Sequence, residues 1–240
     1  MSGPALKIEI EGKRFDFLPP LLSDFSLNIA PSSVVALVGP SGVGKSTLLR
    51  MIGGIDTVFN GRVTVDGVPA AAAPPPGFVF QDPRLLPWLT ALDNVRVVRQ
   101  ETTREEAAEI LRRVGLAGYE NAYPHQLSGG MQRRVAIARA FSVNSRLLLL
   151  DEPFVSLDRS LVKEIEALLQ GLLDASRPTT VFVTHLPEDA AMLADRAVEL
   201  AGRPARIVAD FRFDSRRGAR SRIELERIAN QIAAASVEPA

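Results

Sequence analysis

Apolar and polar positions change their period several times along the chain, and each change marks an element. Lys7–Ile10 and Ser26–Ile29 alternate as half-buried strands do, with Pro19-Pro20 turning the chain between them. Val34–Val38 is unbroken apolar sequence running into a glycine-rich stretch, after which Thr47–Ile52 reads as a helix. Arg62–Val65 reads as a strand with an Asp66-Gly67 turn behind it, Ala70–Pro76 as a low-complexity loop, and Phe78–Phe80 as a short strand ending at Gln81. From Pro83 to about Val135 the period becomes helical. Ala107, Ala108, Leu111 and Val114 share one face of Arg104–Val114, Gly115 can terminate that helix, and Met131–Phe141 predicts another. Leu147–Leu150 and Val181–Thr184 return to unbroken apolar strands, with Ser160–Leu173 helical between them. Ile223–Ile232 predicts a last helix in a charged, alanine-rich tail.

Strands alternating with helices predict an α/β core whose parallel-rich sheet is covered on both faces. The alternating N-terminal strands add an antiparallel part, and 83–135 is a helical insertion. The chain therefore reads as one domain over 1–240: a core of 1–82 and 136–215, the helical part 83–135, and a tail 216–240. Charge is balanced, 28 basic residues against 28 acidic, so no overall field draws in nucleic acid, and none is expected as a partner. Cysteine is absent, which excludes disulfides, thiolate metal sites and cysteine catalysis. The N-terminus lacks the basic start and apolar stretch of a signal peptide, and no apolar run approaches the ~20 residues that span a bilayer. Work at a membrane would require other chains to hold this one there.

Candidate chemistry begins at Gly39-Pro40-Ser41-Gly42-Val43-Gly44-Lys45-Ser46. Glycines at 39, 42 and 44 let the backbone curl so that N–H groups converge on phosphate oxygens, and the following helix adds its positive end. Lys45 would neutralise β- and γ-phosphates and Ser46 would ligate Mg²⁺. The bland alternative, a glycine turn capping a helix, is disfavoured by the strand–loop–helix context. Asp151 ends an apolar strand, placed to hold Mg²⁺ through water, while Glu152 beside it points differently and can serve as general base. Alone, Asp-Glu-Pro would equally read as the lead-in to a helix. Ser128-Gly129-Gly130 precedes a helix and can bind a second anion. A chain with one phosphate loop needs a second cradle only to serve a neighbouring molecule, which suggests a symmetric dimer with shared sites; in isolation, a simple serine cap is the simpler reading. His185 follows a buried strand, where ligand-contacting residues collect, and can donate to the γ-phosphate. Gln81 can reach metal or water. His125 reads as a surface residue, and Trp88 as a core or partner-facing aromatic.

With these residues in this order, the chain resembles the ATP-binding cassette ATPases over nearly all of 1–215. The resemblance implies a P-loop NTPase (RecA-like) core. Gly39–Thr47 corresponds to Walker A, Thr47 included, Gln81 to the Q-loop glutamine, and Leu127–Met131 to the signature. Leu147–Glu152 corresponds to Walker B, Ser156-Leu157-Asp158 to the D-loop, and His185 to the switch histidine. It further implies ATP and Mg²⁺ as ligands, and a homodimer that closes head-to-tail on two ATP molecules. Two integral-membrane permease subunits and an extracytoplasmic solute-binding protein would complete the complex, placing this chain in the cytoplasm on the inner face of the plasma membrane. Two departures stand out. Met131 replaces the usual glutamine of the signature, with Gln132 following, and the adenine-stacking aromatic is Phe15 or Phe17 where relatives often have tyrosine, with Phe15 the expected one.

Phe80-Gln81-Asp82-Pro83-Arg84-Leu85-Leu86-Pro87-Trp88 resembles the Q-loop region of ATPases serving nitrate, sulfonate and taurine importers, a group that includes carriers of thiamine-precursor pyrimidines. Arg203-Pro204-Ala205-Arg206-Ile207 resembles that group's Arg-Pro-Gly-Arg-Ile element, and Arg216-Arg217 echoes its tail. The expected function is an importer's ATP-hydrolysing motor, with Gln81–Trp88 receiving the permease. The alternative is a soluble cassette ATPase of DNA repair or translation, disfavoured by the short span between Gln81 and Ser128 and by neutral charge. An exporter motor would usually carry a fused membrane domain, and a non-cassette phosphate-loop kinase would lack Leu127–Gly130.

Overall fold

The unbroken apolar strands divide their side chains between two cores. In β3 (Val34–Val38), Val34, Ala36 and Val38 enter one core while Val35 and Leu37 enter the other. In β7 (Leu147–Asp151), Leu148 and Leu150 part from Leu147 and Leu149 in the same way. A strand covered on both faces has no wet side, which is why these segments carry no polar alternation. The computed structural model from which this is drawn describes residues 2–155 and 157–235; Ser156 of the Ser156-Leu157-Asp158 motif and 236–240 of the tail lie outside the described residues.

The six-stranded sheet runs, edge to edge, β10 (Arg206–Arg212), β9 (Arg196–Ala201), β3, β8 (Thr179–Thr184), β7 and β6 (Gly77–Val79). All pairs are parallel except β10 with β9. A second, antiparallel sheet orders β2 (Leu22–Ile29), β1 (Leu6–Lys13), β4 (Asn60–Val65) and β5 (Val68–Pro69). Helix α1 (Lys45–Ile52) shares one core with both sheets: Leu48, Leu49 and Ile52 lie with Ile8, Leu27 and Val35. The other core holds the remaining helices against the opposite sheet face.

Helices α2 (Ala91–Arg96) and α3 (Arg104–Arg113) start at threonine caps, Thr90 and Thr103; Thr103 and Glu106 form a reciprocal capping box. Helix α4 (Gly129–Ser142) begins at Gly129 and continues past position 135, so one unbroken helix runs from the helical part into the α/β part. Its Val135, Ile137 and Ala140 share a core with Val79 of β6. Helices α5 (Arg159–Ser176), α6 (Pro187–Leu193) and α7 (Arg222–Ala235) complete the set. The tail is docked: Ile228 and Ile232 of α7 enter the helical core, and Arg217 reaches both Asp195 and Asp174. Among the described residues no helix is long and apolar enough to cross a membrane.

Strand register aligns the carboxyl ends of the central sheet. Val38 pairs with Thr184, Val183 with Asp151, and Leu150 with Val79. The residues that follow, Gly39, His185, Glu152 and Gln81, therefore leave the sheet at one edge, where open α/β sheets place their ligands.

Candidate functional site

Gly39 turns out of β3 with φ 149°, and Gly42 and Gly44 follow at 80° and 115°. A side chain at Gly39 would strike the Leu200 carbonyl of β9 at 2.3 Å, so only glycine lets the loop pass the sheet so closely. Around Gly42 there is open space. Val43 is buried and anchors the loop to the core below, while Pro40, Ser41 and Gly42 stay exposed. Gly44 caps α1, so the free N–H groups of Lys45, Ser46 and Thr47 form the helix's positive end.

Lys45 is only 4% exposed, and its Nζ donates to the carbonyls of Gly39 at 2.7 Å and Pro40 at 3.0 Å. Burial pulls its pKa down, while Glu152 and Asp151 pull it back up. The Ser46 hydroxyl donates to Asp151 Oδ1 at 2.7 Å, joining α1 to the end of β7. Hydroxyl and carboxylate oxygens at this spacing suit a hard cation, and Mg²⁺ commonly takes only one or two protein ligands besides phosphate and water. The described residues hold no cluster of three or more His, Cys, Asp or Glu side chains fit for a metal, so an ion here relies on such a mixed shell. A buried ammonium, an open glycine loop and a hydroxyl–carboxylate pair together fit MgATP.

Glu152 has φ 46°, its N–H donates to the Val183 carbonyl at 3.0 Å, and its side chain is 15% exposed. His185 Nδ1 lies 3.5 Å from Glu152 Oε2. The turn carrying His185 is tied down: the Thr184 hydroxyl donates to Asp189 at 2.6 Å and accepts from the Leu186 N–H at 3.0 Å. Gln81 is exposed on a cavity of about 320 Å³ that Asp151 also lines, together with Arg50, Phe80, Asp82, Arg84 and Val155. A larger cavity, about 660 Å³, lies elsewhere, between Leu6, Asn28, Thr64, Arg196 and Phe213, and no residue of this group borders it.

Other sequence-derived residues stand apart from the group. Ser128 caps α4, its hydroxyl accepting from the Met131 N–H at 3.2 Å; Ser128 and Gly129 are exposed. No hydrogen bond among the described residues links Ser128, Gly129 or Gly130 to Lys45 or Asp151. Asp158 caps α5 by accepting from the Leu161 and Ser160 N–H groups and the Ser160 hydroxyl, which hold its pKa below the usual range. Phe15 is 44% exposed with the Lys13 ammonium 4.6 Å from its ring centroid, whereas Phe17 is fully exposed. Sequence reasoning missed Thr184, Asp189 and Arg133. The first two carry a faint signal, an acid in the first turn after Leu186-Pro187; Arg133 carries none, since nothing local marks a helical arginine as buried.

The ABC transporter family model matches residues 22–155. The aliphatic sulfonates import ATP-binding protein SsuB 1 of Xanthomonas axonopodis pv. citri is 39% identical over 215 residues, covering 86% of this chain and 85% of its own. The SsuB protein of Ralstonia nicotianae is 43% identical over 213 residues, covering 88% and 74%. Among solved structures, a dimeric post-hydrolysis state of the ATP-binding cassette MJ0796 bound to ADP and Pi superposes with a TM-score of 0.76 at 31% identity, over 88% of this chain and 100% of that one. With a phosphate loop, a hydroxyl–carboxylate pair and a glutamate–histidine pair gathered at one sheet edge, the chain belongs to the ABC transporter family and is an ATP-binding, ATP-hydrolysing cassette.

Proposed function

We propose that this cassette is the motor subunit of a solute importer of the sulfonate, nitrate or taurine kind, with Glu152 as general base. The observation that carries the catalytic part is the convergence of Lys45, Ser46–Asp151 and Glu152–His185 at the carboxyl ends of three adjacent parallel strands. Lys45 supplies countercharge to the transferred phosphoryl group, and the N–H groups of the loop and of α1 hold phosphate oxygens. Ser46 and Asp151 would hold Mg²⁺, which when bound neutralises and orients phosphate oxygens. Glu152 accepts the proton of the attacking water, and His185 stands beside it to donate to phosphate oxygen. Phe15, braced by Lys13, offers a ring face for adenine.

Ser128 and Gly129 lie exposed and Gly130 half-buried at the start of α4, unconnected by hydrogen bonds among the described residues to the Lys45 group, as suits a cradle for a partner's nucleotide. Asp158 would stand near the seam of that head-to-tail dimer. The helical part 83–135 would carry the signature, and the neighbouring Gln81–Trp88 surfaces of the dimer, with Trp88 69% exposed, would receive the two permease subunits, fed by an external binding protein. The names of the import relatives support the transport role and an aliphatic sulfonate as cargo; they give no support to a repair or translation ATPase. That role sets the chain on the cytoplasmic face of the membrane.

Glu152→Gln tests the reading. The variant should bind MgATP with wild-type affinity, lose at least about 100-fold in kcat, and accumulate as an ATP-bound dimer in sedimentation at low salt. A wild-type rate would remove Glu152 from the role of base, and a strictly monomeric variant at saturating MgATP would speak against the shared site.

A further inference from the structure

Helix α4 buries two arginines, Arg133 and Arg139, at 3% and 8% exposure. A buried guanidinium persists only where its donors are satisfied. Among the described residues neither forms an ion pair; both donate to main-chain carbonyls of the loop after β6. Arg139 donates to Pro83 at 2.6 Å and Arg84 at 2.8 Å. Arg133 donates through one terminal nitrogen to Phe80 at 2.9 Å and Gln81 at 2.5 Å, and through the other to the carbonyl of Glu152 at 3.0 Å. Burial pulls the Arg133 pKa down, and Asp82 opposes. One planar fork thus bridges the ends of β6 and β7, the segments carrying Gln81 and Glu152. An ammonium, a single point, lacks that span.

The contact matters because of the backbone it holds. Glu152 sits at φ 46°, a left-handed conformation that a residue with a side chain adopts only when its surroundings impose it. Three hydrogen bonds hold it here: the N–H donates to Val183, and the carbonyl accepts from Arg133 at 3.0 Å and from the Val155 N–H at 3.3 Å, so Arg133 is the one tie on that carbonyl from outside the turn. With the peptide groups on both sides of Glu152 held, the direction of its Cα–Cβ bond is set, and with it the aim of the carboxylate toward His185.

We propose that Arg133 is a positioning residue for hydrolysis, holding the main chain of Glu152 in its left-handed turn and in fixed relation to Gln81. The proposal rests on the reading of Glu152 as general base. It places Arg133 between one and two turns along α4 from its Ser128 cap, so the helix that presents the signature also aims the base.

The test compares full-length wild type, Arg133→Met, Arg133→Gln, Glu152→Gln and the Arg133→Met/Glu152→Gln pair. The readouts are kcat and KM for MgATP, calorimetric affinity for a non-hydrolysable ATP analogue, and Tm. Arg133→Met should lower kcat about 10- to 100-fold, as expected when a catalytic group is misplaced by about 1 Å, with analogue affinity unchanged within about threefold. Arg133→Gln, whose amide can still donate to one carbonyl, should recover part of that loss. In the Glu152→Gln background, adding Arg133→Met should change the residual rate by less than about twofold, because a misaimed side chain matters only while it does the chemistry. A kcat for Arg133→Met near wild type, equal losses in kcat and affinity, or multiplying losses in the double variant would overturn the proposal. Should Arg133→Met fail to fold, Arg133→Gln decides by the same three comparisons. A Glu152→Gln variant with wild-type kcat would defeat the general-base reading and this proposal with it; an inactive Glu152→Gln beside a fully active Arg133→Met would defeat this proposal alone.

Discussion

Lys45 is a charge held in readiness. Its ammonium is buried, satisfied by two loop carbonyls, and felt by both Glu152 and Asp151. Binding a triphosphate exchanges those weak acceptors for full negative charge, so Lys45→Ala should weaken MgATP affinity about 10- to 100-fold, in line with about 1.5–3 kcal/mol for a hydrogen bond to a charged group. Calorimetric titration measures it, and an unchanged Kd would contradict the assigned role. At this scale the local motifs were legible: Gly39–Ser46 carries its own backbone requirement in its glycines, and Asp151-Glu152 follows a recognisable buried strand. The pairing of Ser46 with Asp151 and the left-handed backbone of Glu152 were not, because they arise from elements 105 residues apart and from hydrogen bonds across strands. Arg133 was least legible of all. A single arginine in a polar stretch of helix reads as solvated until tertiary packing closes over it.

Among elements, the junction of β8 and α6 carries a pH-dependent term. Asp189, buried in the first turn of α6, has its pKa pushed up to about 6, chiefly by burial. The Thr184 hydroxyl and His185 oppose the shift, and Glu188 and Glu152 add to it. An acid with a raised folded-state pKa stabilises the fold while protonated: the contribution is full below its ordinary value of 3.8 and is lost as pH rises through about 6. The loss amounts to about 3 kcal/mol. Asp189→Asn does not titrate, so urea denaturation should show it gaining on wild type between about pH 4 and 6 and holding a constant lead above about pH 7. Parallel stability curves across that range would contradict the assignment. The longer elements were legible from period alone, including α3 and the apolar strands β3, β7 and β8. The six-residue α2 and seven-residue α6 are too short to display a helical period, and β9 and β10, flanked by arginines, mix charge into their strands.

On the scale of the whole molecule, one sheet edge gathers the phosphate loop, the Ser46–Asp151 pair and Glu152, while α4 runs from there to the exposed Ser128 and Gly129. That division suits the proposed motor, in which the chemistry of one subunit would be completed by a surface of another, beside a face for a membrane partner. The shared-site dimer was suggested by the second cradle at Ser128–Gly130, whereas the permease face was legible only through the family resemblance, since no periodicity reveals which exposed face awaits a partner. The most direct test is affinity purification of the full chain from gently solubilised native membranes, with co-purifying proteins identified by mass spectrometry. The account predicts a stoichiometric multi-span permease, accompanied by a solute-binding protein. Recovery only in the soluble fraction, with ribosomes or DNA-repair proteins, would contradict it.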